Sequence, residues 1–167
     1  MHELAQTLFD SLSALGPEIA VFIISMCPFV ELRLAIPIGC IAGLPVWECF
    51  LLAIIGNLLP VPAIFYLLRP IFNWFRRRPK LAPIAEKLEK KLLSKSGKVT
   101  RYAFWGLMLF VAVPLPGTGA WTGTGIAALL DFKPKNTFLS VCLGVLAAAI
   151  VVCGISYGIS GILSIFA

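Results

Sequence analysis

Pro28-Phe-Val-Glu31-Leu-Arg33-Leu-Ala-Ile-Pro37 interrupts a long apolar run, and its reading decides the architecture. From Ile19 to Trp47 the only charged residues are Glu31 and Arg33, and Pro28 and Pro37 bracket them. A charge at membrane depth costs about 3 kcal/mol or more, so such residues line pathways or sites. The flanking apolar runs, 19–30 and 34–44, each reach roughly 17 Å at about 1.5 Å per residue. A hydrocarbon core is about 30 Å thick, so neither run crosses it alone. Pro28 removes a backbone donor and restricts its neighbour. These facts predict a re-entrant hairpin, two half-helices meeting near the bilayer centre, with one kinked spanning helix as the rival reading. Non-helical backbone at that depth needs protein or a water-filled cavity around it.

The composition agrees with a membrane protein. The 167 residues are 59% hydrophobic and 13% charged, against about 25% charged in soluble domains. Residues 102–130 and 136–167 carry no charge. Eleven of the 14 Lys and Arg lie between Arg69 and Arg101, and Lys133 and Lys135 follow. The positive-inside rule reads this cluster as the cytoplasmic side. It is a short connector between apolar segments, so nucleic acid is not an expected partner. The five cysteines lie in apolar runs without metal-ligand spacing, and His2 is the sole histidine. No metal, no cofactor and no Ser/His/acid hydrolytic set is expected, and the chain is not read as an enzyme.

The chain reads as a single membrane domain. Residues 1–15 carry Leu4, Leu8, Leu12 and Leu15 at helical spacing, predicting an amphipathic helix on the membrane surface. Residues 17–68 form a first unit: hairpin, a turn at Gly43-Leu-Pro45, then a spanning helix over 46–68 kinked by Pro60 and Pro62. Residues 69–98 are the basic connector, with an amphipathic helix lying on the cytoplasmic leaflet against anionic phospholipid. Residues 101–158 repeat the order: half-helix, the break Pro114-Leu-Pro116-Gly-Thr-Gly119, half-helix to Leu130, an exit turn, and a spanning helix over 136–157. Residues 159–167 are an apolar tail, with a tilt or a break near Gly158 and Gly161 as the two options. Gly154-Ile-Ser-Tyr-Gly158 permits close helix contact, within the monomer or across a homodimer, with the former preferred.

A shift of 86 residues aligns Pro28 with Pro114, Gly39 with Gly125, Ala42 with Ala128 and Leu44 with Leu130; two inserted residues then align Gly56 with Gly144. One spanning helix per unit makes the second enter from the opposite side. The expected fold is therefore all-α with two inverted repeats, an architecture of transporters whose sites lie at the repeat interface near the midplane.

The half-helix after each break opens with N–H groups lacking intrahelical acceptors and with the positive end of its dipole, which suits an anion. Arg33 adds a fixed charge in the first hairpin. In the second, Gly117, Thr118 and Gly119 open the backbone, and Thr118 and Thr122 supply hydroxyls, with Thr124 further along. If the tips face each other, they form a pocket for a phosphate or carboxylate. Glu31, placed by this reading at the end of the preceding half-helix, is the candidate proton carrier; a structural Glu31–Arg33 ion pair is the alternative. Pro37, Asn57, Pro116 and Trp121 are candidate support residues, Asn57 more simply through a helix-to-helix hydrogen bond.

Glu31-Leu-Arg33-Leu-Ala-Ile-Pro37-Ile-Gly39, followed by Pro114-Leu-Pro116-Gly-Thr-Gly119-Ala-Trp121, resembles the small multidrug export protein family over about residues 17–158. That family is similar in architecture to the DedA superfamily, whose members carry paired re-entrant hairpins and are implicated in proton-dependent translocation of undecaprenyl phosphate. The hairpins here stand in the opposite chain order, and the second lacks an arginine. The resemblance implies a multi-pass protein of a prokaryotic cytoplasmic (inner) membrane, with the basic loop cytoplasmic. The expected function is proton-coupled translocation of an amphiphilic anion such as the undecaprenyl phosphate lipid carrier. Export of hydrophobic drugs and a non-transporting lipid-organising scaffold are the other readings. The implied partners are the lipid bilayer, anionic phospholipid or polyprenyl phosphate, and protons.

Overall fold

The structure, a computed structural model, describes residues 16–28, 30–78, 81–94, 103–115 and 117–166, with side chains through Gly158. The amphipathic helix expected over 1–15 and the support residue Pro116 lie outside these. All regular structure among the described residues is helical: α1 Pro17–Met26, α2 Glu31–Ile41, α3 Val46–Leu58, α4 Val61–Arg76, α5 Ala82–Leu93, α6 Ala103–Ala112, α7 Ala120–Leu129 and α8 Pro134–Phe166. Two stretches are long and apolar enough to cross a membrane, Val46–Arg76 with 31 residues and Pro134–Gly158 with 25.

The predicted half-helices are there. Helices α1, α6 and α7 have 10 residues each and α2 has 11, about 15–17 Å at about 1.5 Å per residue. The single span predicted over 46–68 is instead interrupted at Leu59–Pro60 and continues as α4 to Arg76. Pro60 and Pro62 cannot return N–H bonds to Gly56 and Leu58, so the hydrogen-bond ladder is broken at these two prolines. The connector begins correspondingly later than Arg69. The tail does not break near Gly158 and Gly161, because α8 runs on to Phe166.

The chain divides into two compact units. In the first, residues 1–59 and 145–167, α1 packs on α2 and α3, and α2 packs on α3. Ala20, Val21, Ile24, Leu32, Ala35, Ile36 and Ala53 are buried. The second half of α8 joins them through Tyr157, whose hydroxyl donates to the Leu44 carbonyl at 2.8 Å. In the second unit, residues 60–144, α7 is the centre: α4, α5 and α6 all pack on it, and Gly123 to Ala128 are buried without interruption. Small residues, Gly123, Gly125, Ala127 and Ala128, let α7 be covered on every side.

Each unit repeats the same local construction. The end of α2 is closed by Ala42, Gly43 and Leu44 donating to Ile38, Cys40 and Gly39; the end of α7 is closed by Leu130, Asp131 and Phe132 donating to Ile126, Ala128 and Ala127. In both, the turning residue is left-handed, Gly43 at φ 81° and Asp131 at φ 60°, which satisfies carbonyls that the helix end leaves open. These positions correspond at an offset of 88 residues. Helices α1 and α6 correspond at an offset of 86. The two extra residues therefore lie in the second tip, before α7, and the sequence alignment that placed them after Leu44 and Leu130 is corrected. Gly39 corresponds to Ala127, and its match to Gly125 is a coincidence of a Gly- and Ala-rich composition.

Two glycines set how closely helices approach within each unit. A Cβ on Gly56 of α3 would fall 2.5 Å from the Phe22 carbonyl oxygen of α1 and closer still to Ser25 Oγ. A Cβ on Gly144 of α8 would fall 2.7 Å from the Met108 carbonyl oxygen of α6 and 2.7 Å from Val111 Cβ. Phe22 and Ser25 map onto Met108 and Val111. Gly154 and Gly158 behave differently. Both are exposed and a Cβ on either would meet nothing within 4 Å, so the preferred reading of that pair as a packing seam within the monomer is not met.

Gly56→Ala and Gly144→Ala should each destabilise the protein by about 1–3 kcal/mol through overpacking, whereas Gly154→Ala should be neutral or stabilise by up to about 1 kcal/mol through helix propensity. Thermal unfolding in a mild detergent separates these outcomes; equal melting of all three variants would contradict the close approaches.

Candidate functional site

The first tip is residues 27–30. Cys27 leaves α1 in an extended conformation, its N–H returning to the Ile24 carbonyl, and Pro28 prevents the helix from continuing. The N–H groups of Val30 and Glu31 both donate back to the Cys27 carbonyl, at 3.4 and 3.0 Å. Glu31 then opens α2, with φ 52° and only 4% of its surface exposed. This corrects the expectation that Glu31 ends the preceding half-helix. The sign of the local field reverses with it. At the start of α2 the open N–H groups and the positive dipole end favour a carboxylate.

A left-handed backbone at a residue with a Cβ costs about 1–3 kcal/mol and persists where the surroundings over-determine it; such positions cluster at functional sites. Arg33 is half-buried two residues further on and experiences the Glu31 charge. Residues i and i+2 do not face each other on a regular helix, but Glu31 is off the helical backbone. Pro37, also half-buried, has no N–H for the Arg33 carbonyl, so the ladder of α2 is interrupted beneath Arg33.

The second tip, residues 113–119, is longer and uncharged. Gly117 and Gly119 have φ values of 82° and 124°, conformations that glycine adopts without a Cβ penalty. The Thr118 hydroxyl donates to the Val113 and Leu115 carbonyls at 2.9 and 2.8 Å. Its proton thus braces the tip, where the sequence reading had it point at a ligand. Gly117 is exposed, Gly119 buried, and Trp121 and Thr122 half-buried in the first turn of α7. At an offset of 88, Glu31 corresponds to Gly119 and Arg33 to Trp121, so the left-handed entrance to the second half-helix is common to both units and the charge is confined to one.

Asn57 is 1% exposed on α3, and its Oδ1 has no hydrogen-bond partner among the described residues. Among the described residues that oxygen therefore makes no helix-to-helix bond. Thr124 and Ser140 are likewise buried with unpartnered hydroxyls. Sequence reading missed Arg69 altogether as a structural residue. From α4 it pairs with the Asp131 carboxylate and donates to the Leu129 carbonyl at 3.0 Å, capping α7 where cations complement the dipole. No local pattern links positions this far apart; an acid just past an apolar run was the only signal.

The fold thus defines an all-helical protein built from paired half-length helices and long apolar helices, with one charged tip and one Gly/Thr tip. The family described as Putative small multi-drug export protein matches residues 31–151. The match starts at Glu31 and includes both half-helix entrances, and the chain belongs to this family. Membrane association follows from the family together with the two apolar stretches. No curated protein and no solved structure matches the chain.

The backbone at Glu31 yields a direct prediction. Glu31→Asn, a residue that tolerates positive φ, should melt close to the parent protein, whereas Glu31→Val, β-branched, should lose about 1–3 kcal/mol. Thermal unfolding checks this, and a Glu31→Val variant at least as stable as Glu31→Asn would remove the left-handed assignment.

Proposed function

We propose that the chain is a proton-coupled membrane transporter of an amphiphilic anion with a phosphate headgroup, of the polyprenyl phosphate type, and that it carries out no covalent chemistry. One observation carries this reading: a buried, left-handed glutamate opens a half-length helix, with an arginine two residues further on. The helix start and Arg33 attract an anion. The ionised Glu31 carboxylate occupies the same field and opposes a second negative charge there. Protonation of Glu31 removes that opposition, so proton and anion load together. Release of the proton on the other side repels the anion.

The half-length helices suit hairpins that enter and leave the bilayer through one face. The second hairpin is flanked by Arg101, Lys133 and Lys135, and the first by Glu18 and Glu48. Under the positive-inside rule the second opens to the cytoplasm of a prokaryotic inner membrane and the first to the other side. That topology is the inverted repeat of many secondary transporters. A second reading rests on the family description: export of cationic drugs, with Glu31 as the binding group and Arg33 opposing it.

Reconstitution in liposomes with a pH gradient separates the readings. Labelled polyprenyl phosphate should cross in a gradient-dependent manner; Glu31→Gln should abolish the pH dependence, and Arg33→Ala should reduce the rate by about tenfold or more, the scale of one lost charge-assisted contact. Movement of a cationic dye alone would replace the anion reading with the drug reading. If neither moves, transport is refuted and a lipid-organising scaffold is left. Lipid phosphate movement with unchanged pH dependence in Glu31→Gln would refute the coupling role.

A further inference from the structure

Within the second unit, a polar cleft of about 250 Å³ lies well away in sequence from both tips, lined by Arg69, Phe72, Asn73 and Arg76 of α4, Glu89 of α5 and Leu129 at the end of α7. We propose that this cleft binds a phosphate group, supplied by an anionic phospholipid headgroup or by free phosphate.

Arg69, Asn73 and Arg76 stand at i, i+4 and i+7, one stripe of α4. Both arginines are held in place. Arg69 is held by Asp131 and the Leu129 carbonyl, Arg76 by Glu89. A guanidinium has five N–H donors, and these contacts leave several on each arginine unspent. Holding long side chains in advance lowers the ordering cost of binding. The Asn73 carboxamide is exposed and has no hydrogen-bond partner among the described residues. The two carboxylates keep the arginines positioned without a ligand. A phosphate, with more acceptor oxygens, competes with Glu89 for Arg76 and is matched by the planar fork of each guanidinium. The volume equals roughly eight waters at about 30 Å³ each, enough for a phosphate with a glycerol fragment.

Position favours a lipid source, given the membrane placement proposed above. Arg76 ends the apolar stretch Val46–Arg76. Beside it the Arg78 guanidinium lies over the Trp74 ring, 5.4 Å from its centroid, and tryptophan marks the headgroup level of a bilayer. Lys87, Lys90 and Lys91 lie on α5, the helix that supplies Glu89 to the cleft, and basic residues of this kind attract anionic lipid. Phe72, buried at 6% exposure, and Leu129 give the cleft an apolar wall beside the polar one.

The test uses the full chain in an uncharged detergent, with native mass spectrometry or a fluorescence titration of phosphatidylglycerol, phosphatidylcholine and inorganic phosphate. Phosphatidylglycerol should bind about tenfold more tightly than phosphatidylcholine, and Arg69→Gln, Arg76→Gln and Asn73→Asp should each weaken it by about tenfold. Asn73→Asp guards against misfolding, because the residue is exposed and the substitution keeps its size. Lys87→Gln, which removes the same charge outside the cleft, should change binding by less than about twofold, the effect of a surface charge. Competition by inorganic phosphate would identify a free-phosphate site; binding of the phospholipid without such competition would identify a headgroup site. Equal binding of the two lipids, or equal losses for Lys87→Gln and Arg76→Gln, would overturn the proposal in favour of a diffuse basic surface. Lipid binding is read without transport, so a failure of the transport proposal leaves this result interpretable.

Discussion

A chain of short apolar helices must find partners for the N–H and C=O groups left open at each helix end, and this requirement organises the described residues. Helices of 10 or 11 residues leave four donors and four acceptors open at their ends. The protein answers in a repeated way. Each second half-helix is closed by a left-handed residue whose neighbours donate back to the last turn. Each second half-helix is also shielded by packing, α2 against α1 and α3, and α7 among α4, α5 and α6. Gly56 and Gly144 let the first half-helix of each pair lie directly against α3 and α8 respectively.

The two tips meet the same backbone demand with different residues. Both half-helices are entered through a left-handed position, a glycine in one unit and Glu31 in the other. Glycine does so without penalty; glutamate does so at a cost of about 1–3 kcal/mol and brings a carboxylate to the positive end of a helix beside Arg33. The uncharged tip needs more chain, and Thr118 spends its hydroxyl on the loop's own carbonyls. One tip is therefore rigidly supplied with charge and the other with backbone donors, an asymmetry that a simple duplication would not have produced.

Much of the architecture was legible from composition and punctuation. Apolar runs too short to cross a bilayer, broken by prolines or charges, foretold α1, α2, α6 and α7 to within a few residues. The charged pair Glu31 and Arg33 stood out because nothing else from Ile19 to Trp47 is charged. Other features were misread for identifiable reasons. The repeat register slipped by two residues because Gly and Ala recur so often that a false match costs nothing in sequence. A hydrogen bond is expected for Asn57 because buried amides ordinarily have one, and among the described residues its Oδ1 has none. The span over 46–68 was drawn too short because Arg69 looked like its end, whereas its guanidinium is engaged by Asp131 and the Leu129 carbonyl.

The sequence by itself determined which stretches prefer an apolar surrounding, where the helices must stop, and which two residues bring charge into that surrounding. Those outcomes follow from local chemistry: transfer free energy, the missing N–H of proline and the freedom of glycine. Tertiary structure alone decided that Glu31 starts a helix rather than ending one, that Thr118 braces its own loop, and that Arg69 caps α7. The first two depend on the path the backbone takes through each tip, where Glu31 donates back to Cys27 and Thr118 to Val113 and Leu115; the third joins residues 62 apart in sequence, a reach that packing sets and no local pattern encodes.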